Sequence, residues 1–443
     1  MSSMRVVAGR PMSRRVFMQR AAVAGVGLSA LGALLASCGG DDGPDRPLTP
    51  AFYDWILSLF PTQAVSDSWD QEVNVQTAPV EGFGIERFVA EGEEGESTWD
   101  IYVGMTPFVE MAALIDAGVI EPWDPYLADG VADTWVPSVR AEATYDGQIY
   151  SHPFDSSIVA AGWHGGLVAA AGLDPDYAPP TWDDWIASAR QVMDSGAAPF
   201  GATFDANGWR SLAPIAHSID INVYTDEGRF DFTHDAVIEA LEIMRRLMEV
   251  SNPDVLGQGA TDAGANVTPD EGAFAGEKAA YYFKHAFGPI NMSSKWADPS
   301  HLRLGAIPTV PGGSGGTVFW STGAGLFTYG GNKEQAAEYM HYLTSHEDIH
   351  RADVGNQGGV VGQLQPYQTI WNEWRANPPA WLASWAFALQ DQLGRASAIH
   401  THTAGVTQFQ IGRPHWETYL TGEVSTAREA LQAAKDAVLA ETA

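Results

Sequence analysis

From Tyr145 to Trp163 the chain reads YDGQIYSHPFDSSIVAAGW. Asp146-Gly147 between β-favouring residues is a two-residue hairpin signal. Pro153 has no amide hydrogen and is expected to break the ladder that follows. Asp155, Ser156 and Ser157 then precede an apolar run, Ile158 to Gly162, that is too short for a helix and suits a buried strand. Three short polar side chains at the mouth of a buried strand are what a ligand cleft needs. A plain polar loop has the same composition.

A chain of 443 residues can bury a large core, and two domains are the natural expectation. Its 45% hydrophobic and 18% charged residues describe a globular chain. The N-terminus carries Ser13-Arg14-Arg15-Val16-Phe17-Met18, a match to a twin-arginine export signal, and Ala21 to Ser37 contain no charge. Leu35-Ala36-Ser37-Cys38 then matches a bacterial lipobox. The pattern is a basic segment held inside, a short apolar segment and small residues before cleavage. Residues 1–37 are expected to be removed, Cys38 to be lipidated, and residues 38–47, rich in Gly, Asp and Pro, to form a tether to the membrane. The alternative is an uncleaved N-terminal anchor. Both place the remainder outside the cytoplasm.

Cys38 is the only cysteine, which excludes an internal disulfide, a cysteine nucleophile and a zinc–cysteine cluster. Loss of the five arginines before it would move the net charge from −31 to −36. Such a chain repels nucleic acid and bare anionic lipid, so neither is an expected partner.

Further along, Asp100 to Gly104 reads as a strand ending in Met105-Thr106-Pro107, with a helix after it. Open α/β sheets place ligands at the carboxyl ends of strands, which makes Thr106 a contact, although threonine before proline equally suits a helix N-cap. Gly84 to Ala90 reads as a helix and Val73 to Thr77 as a strand. Phe204 to Pro214 (FDANGWRSLAP) puts Asp205, Asn207 and Trp209 in a loop. Asp270 to Phe283 is a helix-turn running into a strand, followed by Lys284-His285-Ala286-Phe287. A lysine reaching a cleft there would favour an anionic ligand; the alternative is a solvated or salt-bridged lysine. Thr317 to Phe327 (TVFWSTGAGLF) is a second apolar strand, in which Gly323 and Gly325 permit close backbone approach. Asn332 is expected to cap the helix that follows, and the tryptophans at 371, 374, 381 and 385 read as core.

The order and spacing of YDGQIYSHPFDSS, AGLDP with TWDD, EGAFAGEKAAYYF and NKEQAAEYMHYLTS, together with the export signal, resemble family 1 extracellular solute-binding proteins, the carbohydrate-type substrate-binding lipoproteins of ABC importers. The resemblance implies an α/β, two-lobe periplasmic-binding-protein fold (type II), each lobe a mixed sheet flanked by helices. The implied lobes are 48–156 with 322–395, and 157–321 with 396–443. It further implies a monomer without cofactor that captures a carbohydrate or polyol and docks on permease transmembrane subunits. In that family the aspartate corresponding to Asp155 touches the sugar, a tryptophan near Trp209 stacks on it, and Trp320 and Ser321 lie where the cleft is lined. Phe287 would replace the family's stacking tryptophan and Asp205 would fix hydroxyls; Phe409 lies near another stacking position. The family's first strand is short or absent here.

Other chemistries are weaker. His341, His346 and His350, or His400 with His402, could chelate a metal, but no H-E-x-x-H accompanies them. The glycines from 312 to 316 lack the lysine of a phosphate-binding loop. A secreted glycoside hydrolase is the enzyme alternative, with Asp155 and Asp205 as its paired carboxylates.

Overall fold

A computed structural model describes residues 46–80, 84–95, 98–256, 268–356 and 360–442. Arg14, Arg15 and Cys38, with the export signal and most of the tether, lie outside the described residues. Among the described residues no helix is long and apolar enough to cross a membrane.

The Asp146-Gly147 turn forms as the dipeptide requires. Asp146 has φ 49° and Gly147 φ 82°, and Thr144–Tyr145 pairs with Gln148–Ile149. Beyond it runs one thirteen-residue strand, His152–His164, buried throughout. Pro153 therefore does not end the ladder. It sits where the register against the strand Val318–Phe327 slips, from Thr322 opposite Asp155 to Gly323 opposite Pro153, and a bulge tolerates a residue without an N–H. Consequently Asp155, Ser156 and Ser157 lie inside the strand rather than in a loop ahead of it.

These two long strands hold the molecule together. In the ten-stranded sheet the order runs Gln76–Thr77, Pro50–Phe52, Ile101–Met105, Val318–Phe327, His152–His164, Ala279–His285, Phe200–Phe204. The first half of His152–His164 pairs with Val318–Phe327; the second half pairs with Ala279–His285 and Leu302–Gly305. Each half thus serves a different hydrophobic core. One core gathers Ile101, Tyr102, Leu326, Tyr339 and Leu343; the other gathers Trp163, Trp185, Phe204, Leu241 and Leu431. A third cluster, Ile158, Phe319, Leu364, Trp371 and Trp374, packs against the strands where they cross, with Trp381 and Trp385 half-buried at its edge.

The first strand is present but only three residues long, Pro50–Phe52, wedged between parallel neighbours. The strand expected over Val73–Thr77 shrinks to Gln76–Thr77 plus a bridge from Val73 to Leu48, and the helix expected over Gly84–Ala90 is Glu86–Glu94. Asn332 does not cap its helix through its side chain. Its Nδ2 donates instead to the buried Asp100 carboxylate (3.2 Å), which also takes two bonds from Arg46 and one from the Thr49 amide. The charged acceptor fixes the side chain through Nδ2, and its Oδ1 then takes no bond from the helix amides that a cap would serve. Phe409 packs with Phe230, Phe232 and Trp416 inside the second core.

Gly323 is where the crossing strands come closest. A methyl group there would overlap Ser151 Oγ and lie 2.8 Å from the His152 carbonyl oxygen. Gly323→Ala should lower the unfolding free energy by about 1–3 kcal/mol, as overpacking does. Urea titration reads this; an unchanged midpoint would show that the close approach costs nothing to relieve.

Candidate functional site

Opposing residues of an antiparallel pair share a face. Trp320 lies opposite Ser157, Thr322 opposite Asp155, and His285 opposite Val159, so these six side chains face one way. Ser321 and Ser156 face the other. There the Ser321 amide and hydroxyl both donate to Glu142 Oε2, each at 2.6 Å. Ser321 is thus not brought together with Trp320.

Burial pushes the Glu142 carboxyl up to about 8, although both Ser321 bonds oppose this. A folded-state value above the unfolded one means the native state holds its proton more tightly, so stability falls as pH rises from about 4.5 to about 8. Glu142→Gln, which keeps an acceptor for Ser321, should stabilise the protein by about 2 kcal/mol at the alkaline end of that window and not at the acid end. Thermal melts across the window check it; a pH-independent gain would point to packing instead.

On the face shared with Trp320, aromatic rings converge from the carboxyl ends of three strands, where an open α/β sheet positions a ligand. Phe108 follows Ile101–Met105, Trp209 follows Phe200–Phe204, and His285 and Phe287 end Ala279–His285. Trp209 meets Trp320 edge-on with centroids 4.9 Å apart, and Phe108 lies 5.5 Å from Trp209 and 6.4 Å from Trp320. His285 stacks on Phe287 at 5.5 Å and reaches Trp320 at 5.9 Å. The Arg210 guanidinium sits 4.1 Å over the Trp209 ring. Trp209 is only 3% exposed and Trp320 7%, so the rings bury one another.

Phe108, Arg210 and His285 are additions to the sequence reading. Phe108 follows the Thr106-Pro107 strand end and Arg210 adjoins Trp209, so position alone could have found both. Thr106 occupies the N-cap position without capping through its side chain. Its amide donates to Glu110 Oε2 (2.8 Å), while Glu110 Oε1 accepts from the Tyr102 hydroxyl (3.0 Å).

Behind the rings lies a layer of charge. Asp205 accepts from the Asn207 amide (2.9 Å) and Arg210 Nη1 (3.2 Å), with Lys284 Nζ at 3.6 Å. Lys284 Nζ also reaches Asp270 Oδ2 (3.0 Å) and Glu271 Oε1 (2.9 Å) and is fully buried. Burial opposes ionisation of Asp205, but Lys284 and Arg210 outweigh it and hold the carboxyl below its usual range. The lysine is salt-bridged, and its charge is spent on this network. Asp155 is also fully buried, on the same face of the sheet as Trp320.

The histidines do not converge. His346 caps the helix Glu347–Val354 by accepting from the Asp348 amide, His350 pairs with the Thr344 carbonyl, and His400 stacks on Tyr224 at 3.9 Å. Among the described residues no group of three or more His, Cys, Asp or Glu could hold a metal ion.

The family model for bacterial extracellular solute-binding proteins matches residues 63–349. No curated protein matches the chain. Solved structures match over nearly its whole described length. A cyclic alpha-maltosyl-1,6-maltose binding protein from Arthrobacter globiformis is 18% identical, covers 89% of this chain and 98% of its own, and has a TM-score of 0.67. Maltose-bound MalE3 of T. maritima is 14% identical over 89% of this chain and 98% of its own, at 0.69. The GacH receptor of Streptomyces glaucescens is 15% identical over 90% of this chain and 99% of its own, at 0.70. At these identities the likeness is one of fold: two lobes joined by crossing strands.

Proposed function

We propose, from the premise that this chain belongs to the bacterial extracellular solute-binding proteins, that it captures a sugar or sugar-like solute outside the cytoplasmic membrane and hands it to the transmembrane subunits of an ABC permease. The observation that carries this reading is the aromatic cluster at the strand crossing, where Phe108 from one side meets Trp209 from the other. Aromatic faces suit sugars because ring C–H groups present apolar patches while hydroxyls turn to polar partners. That the similar structures include proteins solved with maltose, maltotetraose and tagatose supports the same class of ligand.

In this reading the lobes are residues 48–156 with 322–395, and 157–321 with 396–443. Solute binding shifts the population toward a hinge-closed state, because only that state contacts the solute from both sides. Trp209, Trp320 and Phe287 stack on it; Asp155, Asp205 and Thr106 fix its hydroxyls. Ser321 acts through Glu142, holding the strand that carries Trp320. Cys38 anchors a monomer to the outer face of the membrane.

A thermal-shift screen against mono- and oligosaccharides, polyols and uronates tests the reading. A bound solute raises apparent stability by about 2.7 kcal/mol at a hundredfold excess over Kd. At least one of these compounds should raise Tm, and a flat screen defeats the proposal. An oligosaccharide that binds should be recovered intact after long incubation, whereas its cleavage would favour a glycoside hydrolase.

A further inference from the structure

A second polar set lies on the face of the crossing strand that Asp155 and Ser157 share with Trp320. Ser156 exchanges both backbone hydrogen bonds with Leu364, at 2.8 and 2.7 Å. The residues flanking that bridge, Asp155 and Ser157 on one chain and Gln363 and Gln365 on the other, therefore project to one face. Asp353 is tied beside them, since its carbonyl accepts from the Gly362 amide at 2.9 Å. Asp155, Asp353 and Gln365 are 0% exposed. Among the described residues, neither oxygen of Asp353, nor Ser157 Oγ, Gln363 Oε1, Gln365 Oε1 or Gln365 Nε2, has a hydrogen-bond partner, and the two Asp155 oxygens have none of good geometry, with Thr322 across the ladder close enough to act on their charge.

Buried polar atoms are almost always paired, so this concentration calls for a partner from outside the chain, water or solute. Its chemistry is one-sided. Six of these eight atoms are carboxyl or amide oxygens, and once the acids are ionised all six only accept. The cations that face the neighbouring cluster, Lys284 and Arg210, are engaged with Asp205, Asp270 and Glu271. Trp320, opposite Ser157, places an aromatic ring at the border of the set. Burial pushes the Asp155 carboxyl up to about 8, tempered by Thr322 across the ladder, and burial with Asp155 nearby raises Asp353, as suits two acids without a counter-charge.

We propose that Asp155, Asp353 and Gln365 receive an ammonium group carried by the solute, so that the transported ligand is an amino sugar. This inference rests on the sugar-capture reading. An ammonium supplies three donors to the acceptors, charge to both carboxyls, and a cation to the Trp320 ring. A hard metal ion suits the set less, because the Gln365 amide nitrogen and an aromatic ring border it.

Isothermal titration of the purified protein would compare matched trios: glucosamine, glucose and N-acetylglucosamine; chitotriose amine, cellotriose and N-acetylchitotriose. In at least one trio the ammonium form should bind ten-fold or more tightly than both counterparts. Asp155→Asn and Asp353→Asn, near-isosteric changes that remove the like-charge pair and leave the fold intact by circular dichroism, should each cut that preference to about twofold. Neutral forms binding as tightly as the amine overturn the inference and leave sugar capture standing. So does a preference that survives both substitutions, or stabilisation by calcium alone without any amine preference. If no sugar binds in any form, the capture reading falls and this inference with it.

Discussion

Lys284→Met should destabilise the protein by about 3–5 kcal/mol, the cost of leaving buried charges unpaired. Three carboxylates, Asp205, Asp270 and Glu271, converge on this one fully buried ammonium. Methionine fills similar volume, so the loss would report charge rather than packing. Acid dependence makes the test sharper. Burial disfavours the Lys284 charge, but the three acids outweigh it and raise its pKa. Its contribution is therefore complete below the unfolded lysine value and fades only as pH rises through the folded one. Asp205 and Glu271 are held below their usual range, so their contribution is present above the unfolded carboxyl values and is lost as pH falls through the folded ones. In the native protein, then, acidification weakens the network. In the methionine variant the sign reverses, because protonating the stranded carboxyls relieves them. Urea unfolding at neutral and mildly acid pH should show the gap between the two proteins narrowing on acidification. A variant as stable as the parent at neutral pH would mean the four groups are solvated and the network holds nothing.

What was legible in the chain followed from periods and turns that act within a few residues. The Asp146-Gly147 hairpin and the buried strand after it both depend on local stereochemistry. Lys284 meets Asp205 across the ends of two neighbouring strands far apart in sequence, and no local rule announces it. Pro153 misled because a proline inside a strand reads as a break, whereas a bulge absorbs it. Ser321 was a different matter. Adjacent residues of a strand point to opposite faces, so Trp320 and Ser321 could not both line one cleft, and the alternation visible in TVFWSTGAGLF already said so. Glu142, which claims Ser321, lies on a helix far away in sequence, and only the fold brings it there. The gathering of Phe108 with Trp209 and Trp320 was out of reach for the same reason: it needs three strand ends placed side by side.

Trp209→Ala should cost about 3–5 kcal/mol of stability, the range for deleting a large aromatic from a packed site, and should also weaken binding of the captured solute by about 1–3 kcal/mol. From the sequence alone only the second effect is expected, since a stacking residue in an open cleft contributes little to folding. The structure adds the first, because Trp209 lies between Phe108, Trp320 and the Arg210 guanidinium and is almost fully covered. The two effects separate by substitution. Trp209→Phe keeps an aromatic face and most of the volume, so it should recover most of the stability and part of the affinity. They also separate by shape. Phe108 and Trp209 belong to different proposed lobes, so on the proposed hinge their contact would form only as the lobes approach. If that contact favours the closed state, the alanine variant without solute should have a larger radius of gyration in small-angle scattering, and saturating solute should bring it back. The opposite pattern, easier unfolding with unchanged affinity and an unchanged outline, would make Trp209 a packing residue and move the site elsewhere along the crossing strands.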